Sequence, residues 1–213
     1  MIRNRTIMVD RRISNRTVEL VNEWAVFEQA HPNGDISDFC RYYLAKQERR
    51  FDRAASVGGV VPPLQDGLML KIIGRIHKLN AYFANAALKG TALQQIEEFG
   101  LLLTIRQMGR PTKTDVILAN LFEVSSGMDM LRRLQQRGLV RDEVDDTDKR
   151  AKRIILTPEG ERALEEGLER VGRNAQMMTH GMSPEDKQLC IQLLEELEIV
   201  HSRQWIALRG KSF

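Results

Sequence analysis

The apolar positions repeat at helical spacing along most of the chain. From Thr17 to Gln29, Val18, Val21, Trp24 and Ala25 share one helical face, and His31-Pro32-Asn33-Gly34 supplies the turn that ends the helix. Asp35, with Asp38 three residues on, forms a capping-box pattern ahead of Ile36, Phe39, Cys40, Tyr43 and Leu44, which stand at i, i+3, i+4, i+7 and i+8. A long helix is predicted from Asp66 to Gly90, its stripe running through Met69, Ile72, Ile73, Ile76, Leu79, Phe83 and Ala87. Thr91 is read as the cap of a helix from Leu93 to Met108, and Gly109-Arg110-Pro111 stops it. Thr112 caps a short helix to about Leu121, and a further helix is expected from about Gly127 to Arg137, closed by Gly138.

The period then changes. Leu139 to Val144 and Ala151 to Leu156 are short β-prone runs around a polar tip, Asp145 to Lys149, which predicts a β-hairpin. Thr157-Pro158-Glu159-Gly160 reads as an N-cap followed by proline at the first helical position. In the helix it opens, Leu164, Leu168, Val171, Ala175 and Met178 form a heptad seam that calls for a partner surface. Ser183-Pro184-Glu185-Asp186 opens the last helix, with Cys190, Leu193, Leu194, Leu197 and Val200 on one face. Glycine and proline pairs between Ala54 and Pro63 mark a linker. Residues 1–63 are therefore read as a helical extension plus linker. Residues 64–213 are read as a main domain in which 64–90 and 158–213 are association helices and 91–157 is a separate lobe. The fold class is mainly α with one small hairpin.

Composition changes this picture little. Hydrophobic residues at 42% and charged residues at 29% describe a globular chain and exclude a disordered one. No apolar run is long enough to span a bilayer, and no apolar stretch follows the charged N-terminus, so a cytoplasmic location and no membrane partner are expected. A formal charge of +3 does not by itself imply nucleic acid, but basic residues concentrate between Arg132 and Arg153. Cys40 and Cys190 lie within amphipathic helical patterns and read as small buried residues. His31, His77, His180 and His201 are scattered, with no metal-binding HExxH, no catalytic triad spacing and no phosphate-cradling glycine loop. Neither enzyme activity nor a metal or cofactor is indicated.

The order helix, helix, turn, helix, hairpin is that of a winged helix-turn-helix, whose second helix suits a major groove and whose hairpin suits the adjacent minor groove. Gly138-Leu139-Val140 at the start of the wing, Asp148-Lys149-Arg150 at its tip and Leu156-Thr157-Pro158-Glu159-Gly160 after it resemble the signature of the MarR family of transcriptional regulators. Lys149 stands where that family's tip has its first arginine. Met182 to Asp186 matches the usual start of the family's last helix. The resemblance runs from about Asp66 to Arg209, and residues 1–63 are an extension that ordinary members lack. It implies a sequence-specific regulator that binds double-stranded DNA, at a pseudo-palindromic operator, as a homodimer built from the first and last two helices of the main domain.

The residues also nominate contacts. Met130, Leu131 and Leu134 read as the core face of the recognition helix, leaving Ser125, Ser126, Arg132 and Gln136 for the groove. Lys113 is a phosphate candidate, and Arg133 a packing residue toward the wing. On the wing, Asp148 is read as orienting Arg150 by a charge-assisted bond, with Arg150 or Lys149 entering the minor groove. Lys152 and Arg153 alternate, so one of them faces DNA. Ser126 and Asp129 fit a capping box, which would assign Asp129 to the helix terminus. Gly127 and Asp129 stand where many family members have a hydroxyl and a basic residue, and the turn at Phe122 to Val124 is shorter than usual. The family comparison further implies a small aromatic effector where the association helices meet the lobe, with His77, Tyr82 and Arg106 as its candidate contacts. A protein-interaction module of the same fold, with weak or no DNA binding, is the competing reading, supported by Asp129 and the modest net charge.

Overall fold

The computed structural model describes residues 15–46, 58–144 and 152–208. The chain divides into two compact units, one ending at Val61 and the other beginning at Pro62.

The first unit is a helical hairpin of α1 (Arg16–Ala30) and α2 (Ile36–Lys46). Asp35 and Asp38 exchange backbone-to-carboxylate bonds at 2.9 and 3.1 Å, the reciprocal cap that the sequence pattern predicts. Apolar rings hold the hairpin together. Phe27 and Phe39 are buried and lie 5.6 Å apart, and Trp24 sits edge-on to Phe39 at 5.0 Å. Lys46 reaches across to Glu23 at 2.7 Å, and the bond from that carboxylate raises the lysine's pKa.

The second unit comprises α3 (Gln65–Leu88), α4 (Ile96–Met108), α5 (Lys113–Ala119), α6 (Val124–Gln136), strands β1 (Val140–Val144) and β2 (Lys152–Leu156), α7 (Pro158–Met178) and α8 (Pro184–Leu208). The core centres on α4. That helix is buried or half-buried from Ile96 to Arg106, and Phe99, Leu101, Leu102 and Ile105 are all buried. Val116 and Ile117 of α5, Leu131 and Leu134 of α6, Ile154 of β2 and Leu164 of α7 close around it. Each fully buried leucine or isoleucine contributes about 2 kcal/mol of transfer free energy.

Two close approaches fix the geometry. A Cβ on Gly127 would lie 2.6 Å from Ile117, so the glycine lets α6 cross α5 at short range. A Cβ on Gly160 would lie 1.9 Å from the Leu139 carbonyl oxygen. There the Thr157 hydroxyl donates to the Gly138 carbonyl at 2.6 Å and accepts from the Gly160 amide at 3.0 Å. The Gly-Leu-Val and Leu-Thr-Pro-Glu-Gly segments are thus two sides of one packed joint between the wing and α7.

Four expectations are corrected. Thr91 does not cap α4. Its hydroxyl closes the turn after α3 by donating to the Leu88 carbonyl at 2.8 Å, and α4 begins at Ile96, whose amide donates 2.7 Å to the Asn85 side chain of α3. The recognition helix starts at Val124, three residues before Gly127, after a tight turn in which Leu121 takes a left-handed φ of 55°. The first part of the α7 seam finds partners inside its own chain, where Leu164 is fully buried and Leu168 and Val171 pack on the same core, while Ala175 is exposed. Cys40 and Cys190 are exposed: Cys40 lies off the face on which its helix buries Phe39, and the helix of Cys190 buries no residue in the single chain.

Candidate nucleic-acid interface

The recognition helix α6 buries Gly127, Met130, Leu131 and Leu134 against the core. Ser125, Asp129, Arg132 and Gln136 occupy the opposite stripe at i, i+4, i+7 and i+11, and all are exposed. Ser126 and Arg133 flank that stripe and are also exposed. Glu123 is the N-cap residue and makes no side-chain cap bond. Ser125 and Ser126 lie in the first turn, whose amides have no intrahelical acceptor and suit a phosphate oxygen.

The proposed capping box of Ser126 with Asp129 does not form, because Ser126 already lies inside the helix. Asp129 is in the second turn, and its carboxylate lies 2.9 Å from the Arg132 guanidinium. Both side chains are more than half exposed.

Lys113 is more enclosed than its position in the first turn of α5 suggests. Its ammonium lies 2.8 Å from Asp142 of β1 and 3.3 Å from Gln135 Oε1 of α6, and the Gln135 amide donates to Asp142 at 2.6 Å. This triangle ties the helix-turn-helix to the wing, and Lys113 serves it. Sequence reading missed Asp142 and Gln135, for which no local spacing rule gives a signal.

The hairpin pairs Val140 with Leu156 through Val144 with Lys152. Its outer edge is bound by the segment before α5. The Ile154 amide donates to the Pro111 carbonyl at 2.9 Å, and Arg110 lies 2.9 Å from Glu143 while donating to the Val144 carbonyl at 3.3 Å. Of the alternating pair, Lys152 is exposed, whereas Arg153 is half-buried and donates to the Arg110 carbonyl at 3.4 Å. Asp148, Lys149 and Arg150 lie outside the described residues. Thr112 and Asp115 form a full capping box on α5. Bonds from the Thr112 side chain and backbone hold the Asp115 carboxyl below its ordinary pKa.

None of the three candidate effector contacts is buried. His77 is exposed on α3, Tyr82 is 69% exposed beside Phe83, and Arg106 pairs with Glu165 and, at 3.9 Å, with Glu161 of α7. A separate cleft of about 340 Å³ opens between α3 and α7, lined by Phe83, Ala87, Arg170, Arg173, Asn174 and Met177. None of the three lines it. Among the described residues, no helix is long and apolar enough to cross a membrane.

Residues 97–160 match the family model of the winged helix DNA-binding domain. No curated protein matches the sequence. Among solved structures, SlyA superposes with a TM-score of 0.60 at 17% identity over 66% of this chain and 99% of its own. BpsR from Bordetella bronchiseptica, described with regulation of its DNA binding by 6-hydroxynicotinic acid, gives 0.58 at 20% identity over 64% and 97%. A mutant MarR from E. coli complexed with operator DNA gives 0.57 at 20% identity over 64% and 98%. The chain thus contains a winged helix DNA-binding domain and has the fold of the MarR-type regulators.

Proposed function

We propose that this winged-helix protein is a transcriptional regulator that binds a pseudo-palindromic duplex operator as a homodimer, under the control of a small aromatic molecule. The observation that carries this reading is the match of 97–160 to a DNA-binding domain in which α6, the second helix of the α5–α6 pair, turns a polar stripe of Ser125, Arg132 and Gln136 to solvent. Such a stripe suits base edges in a major groove. Lys152, with Lys149 and Arg150 just before it in the sequence, supplies cations for the adjacent minor groove.

A second copy is supported by surface that one chain leaves bare. No residue of α8 is buried, and Leu193, Leu194 and Leu197 are exposed together with Ile72, Ile76 and Leu79 of α3. The superposed regulators provide the model for the effector, since BpsR is regulated by 6-hydroxynicotinic acid and CouR from Rhodococcus jostii is described bound to p-coumaroyl-CoA. In this chain the cleft between α3 and α7 sets Phe83 and Met177 beside Arg173 and the buried Asn174 amide. Arg173 pairs with the exposed Glu169, and a ligand carboxylate can displace such a pair at small cost.

The test is electrophoretic selection of duplexes from a random pool, followed by salt titration of the winner. The expected result is one dyad-symmetric sequence whose binding constant falls steeply with salt. Equal, weak binding to every duplex would favour the protein-interaction reading.

A further inference from the structure

The groove-facing stripe of α6 carries a carboxylate, which ordinary electrostatics disfavours. A major groove is walled by phosphates, so an exposed aspartate facing it weakens binding to every sequence equally. Asp129 has no duty at the helix terminus to account for it: α6 begins at Val124, and Asp129 lies a full turn further on. Its contact is Arg132, at 2.9 Å on the same stripe. The pair adds little to folding, because both side chains are more than half exposed and solvent screens such pairs.

We propose that Asp129 is a specificity-determining residue: it forms with Arg132 one reading unit that selects a G·C pair in each half-site. This rests on the DNA-binding reading above. The geometry is favourable. Guanine offers two acceptors, O6 and N7, to a guanidinium, and cytosine offers one amino donor to a carboxylate. Asp129 occupies one edge of the guanidinium and leaves the others to donate. It limits the arginine's rotamers before DNA arrives, so less freedom is lost on binding. It also taxes unmatched sequences. Where the base pair offers no amino donor, the carboxylate gives up water without gaining a hydrogen bond, and the two effects add in discrimination.

The pair therefore lowers affinity for duplex in general while widening the gap between matched and unmatched sequence. Removing the carboxylate should do the reverse of what loss of a contact residue does.

The experiment uses the full chain. Wild type, Asp129→Ala, Asp129→Asn and Arg132→Ala are each put through selection from a random duplex pool. Their affinities are then measured for the selected duplex and for a mixed-sequence duplex. Wild type should select guanine at one position per half-site, and Arg132→Ala should lose it. Asp129→Ala and Asp129→Asn should bind mixed-sequence duplex several-fold more tightly and discriminate at that guanine about tenfold less. Thermal unfolding of all four should nearly coincide, which separates the effect from damage to the fold. Aspartate variants that keep the full guanine preference would overturn the reading unit while leaving the regulator intact. A wild-type chain that selects no sequence would overturn the DNA-binding reading, and this proposal with it.

Discussion

The guanidinium of Arg137, at the end of α6, lies 2.6 Å from the carboxylate of Glu98 in α4, a side chain only 1% exposed. Arg137 also donates to the Ala92 carbonyl at 2.8 Å, and Glu98 accepts from the Gln94 amide at 2.8 Å. The two residues bolt the recognition helix to the central helix. Removing one partner leaves a buried charge uncompensated, so Arg137→Met and Glu98→Gln should each destabilise by about 3 kcal/mol. Urea denaturation of both single variants and the double variant checks this. The double variant should lose clearly less than the sum.

Gly160 and Gly172 lie in the same helix and should respond oppositely to alanine. At Gly160 the new methyl would meet the Leu139 carbonyl at 1.9 Å, and the joint between wing and α7 must open. At Gly172 nothing lies within 4 Å. Gly160→Ala should cost about 2 kcal/mol or more, while Gly172→Ala should gain about 0.5–1 kcal/mol from helix propensity. Paired thermal melts decide the matter, and equal shifts would contradict it.

The capping box of α5 gives a pH signature. Asp115 has its pKa lowered by its bonds to Thr112, so the folded state favours the charged carboxylate. That stabilisation is complete above the ordinary carboxylate range and is lost as pH falls through the lowered folded value. The stability advantage of wild type over Asp115→Asn should be present at pH 7 and vanish in strong acid. Thr112→Ala should cost about 1 kcal/mol at neutral pH.

Two leucines distinguish folding from association. Leu168 packs on the lobe's core, whereas Leu193 of α8 is 45% exposed in the single chain. Leu168→Glu should unfold the domain. Leu193→Glu together with Leu197→Glu should leave its circular dichroism intact and convert dimer to monomer in sedimentation. A wild-type monomer at micromolar concentration would remove the basis for the dimeric operator.

On the wing, Arg150→Ala should weaken binding to most duplexes and reduce the salt slope by about one unit, as one fewer cation displaces a counterion. Asp148→Ala should also weaken binding, although it removes negative charge, if the carboxylate orients the arginine. Tighter binding by Asp148→Ala would show simple repulsion instead.

What the sequence determined is what repeats or closes within a few residues. Apolar residues at 3.6 spacing put Met130, Leu131 and Leu134 on one face of α6, and two short β-prone runs around a polar tip mark the hairpin. The caps at Asp35, Thr112, Thr157 and Ser183 are legible because each capping side chain accepts from an amide three residues on. The tertiary structure alone decided which distant groups meet. The amide of Ile96 is capped by Asn85, eleven positions back, and that shifted the start of α4. The sequence reads Lys113 as a phosphate candidate, and only packing brings Asp142, 29 positions on, beside it. Glu98 carries no local mark of burial, because its partner Arg137 is 39 positions away. Periodicity fixes the face on which a side chain lies. The charge that neutralises it is chosen by packing, since a carboxylate is tolerated in the core only where another element happens to bring a donor within hydrogen-bond reach.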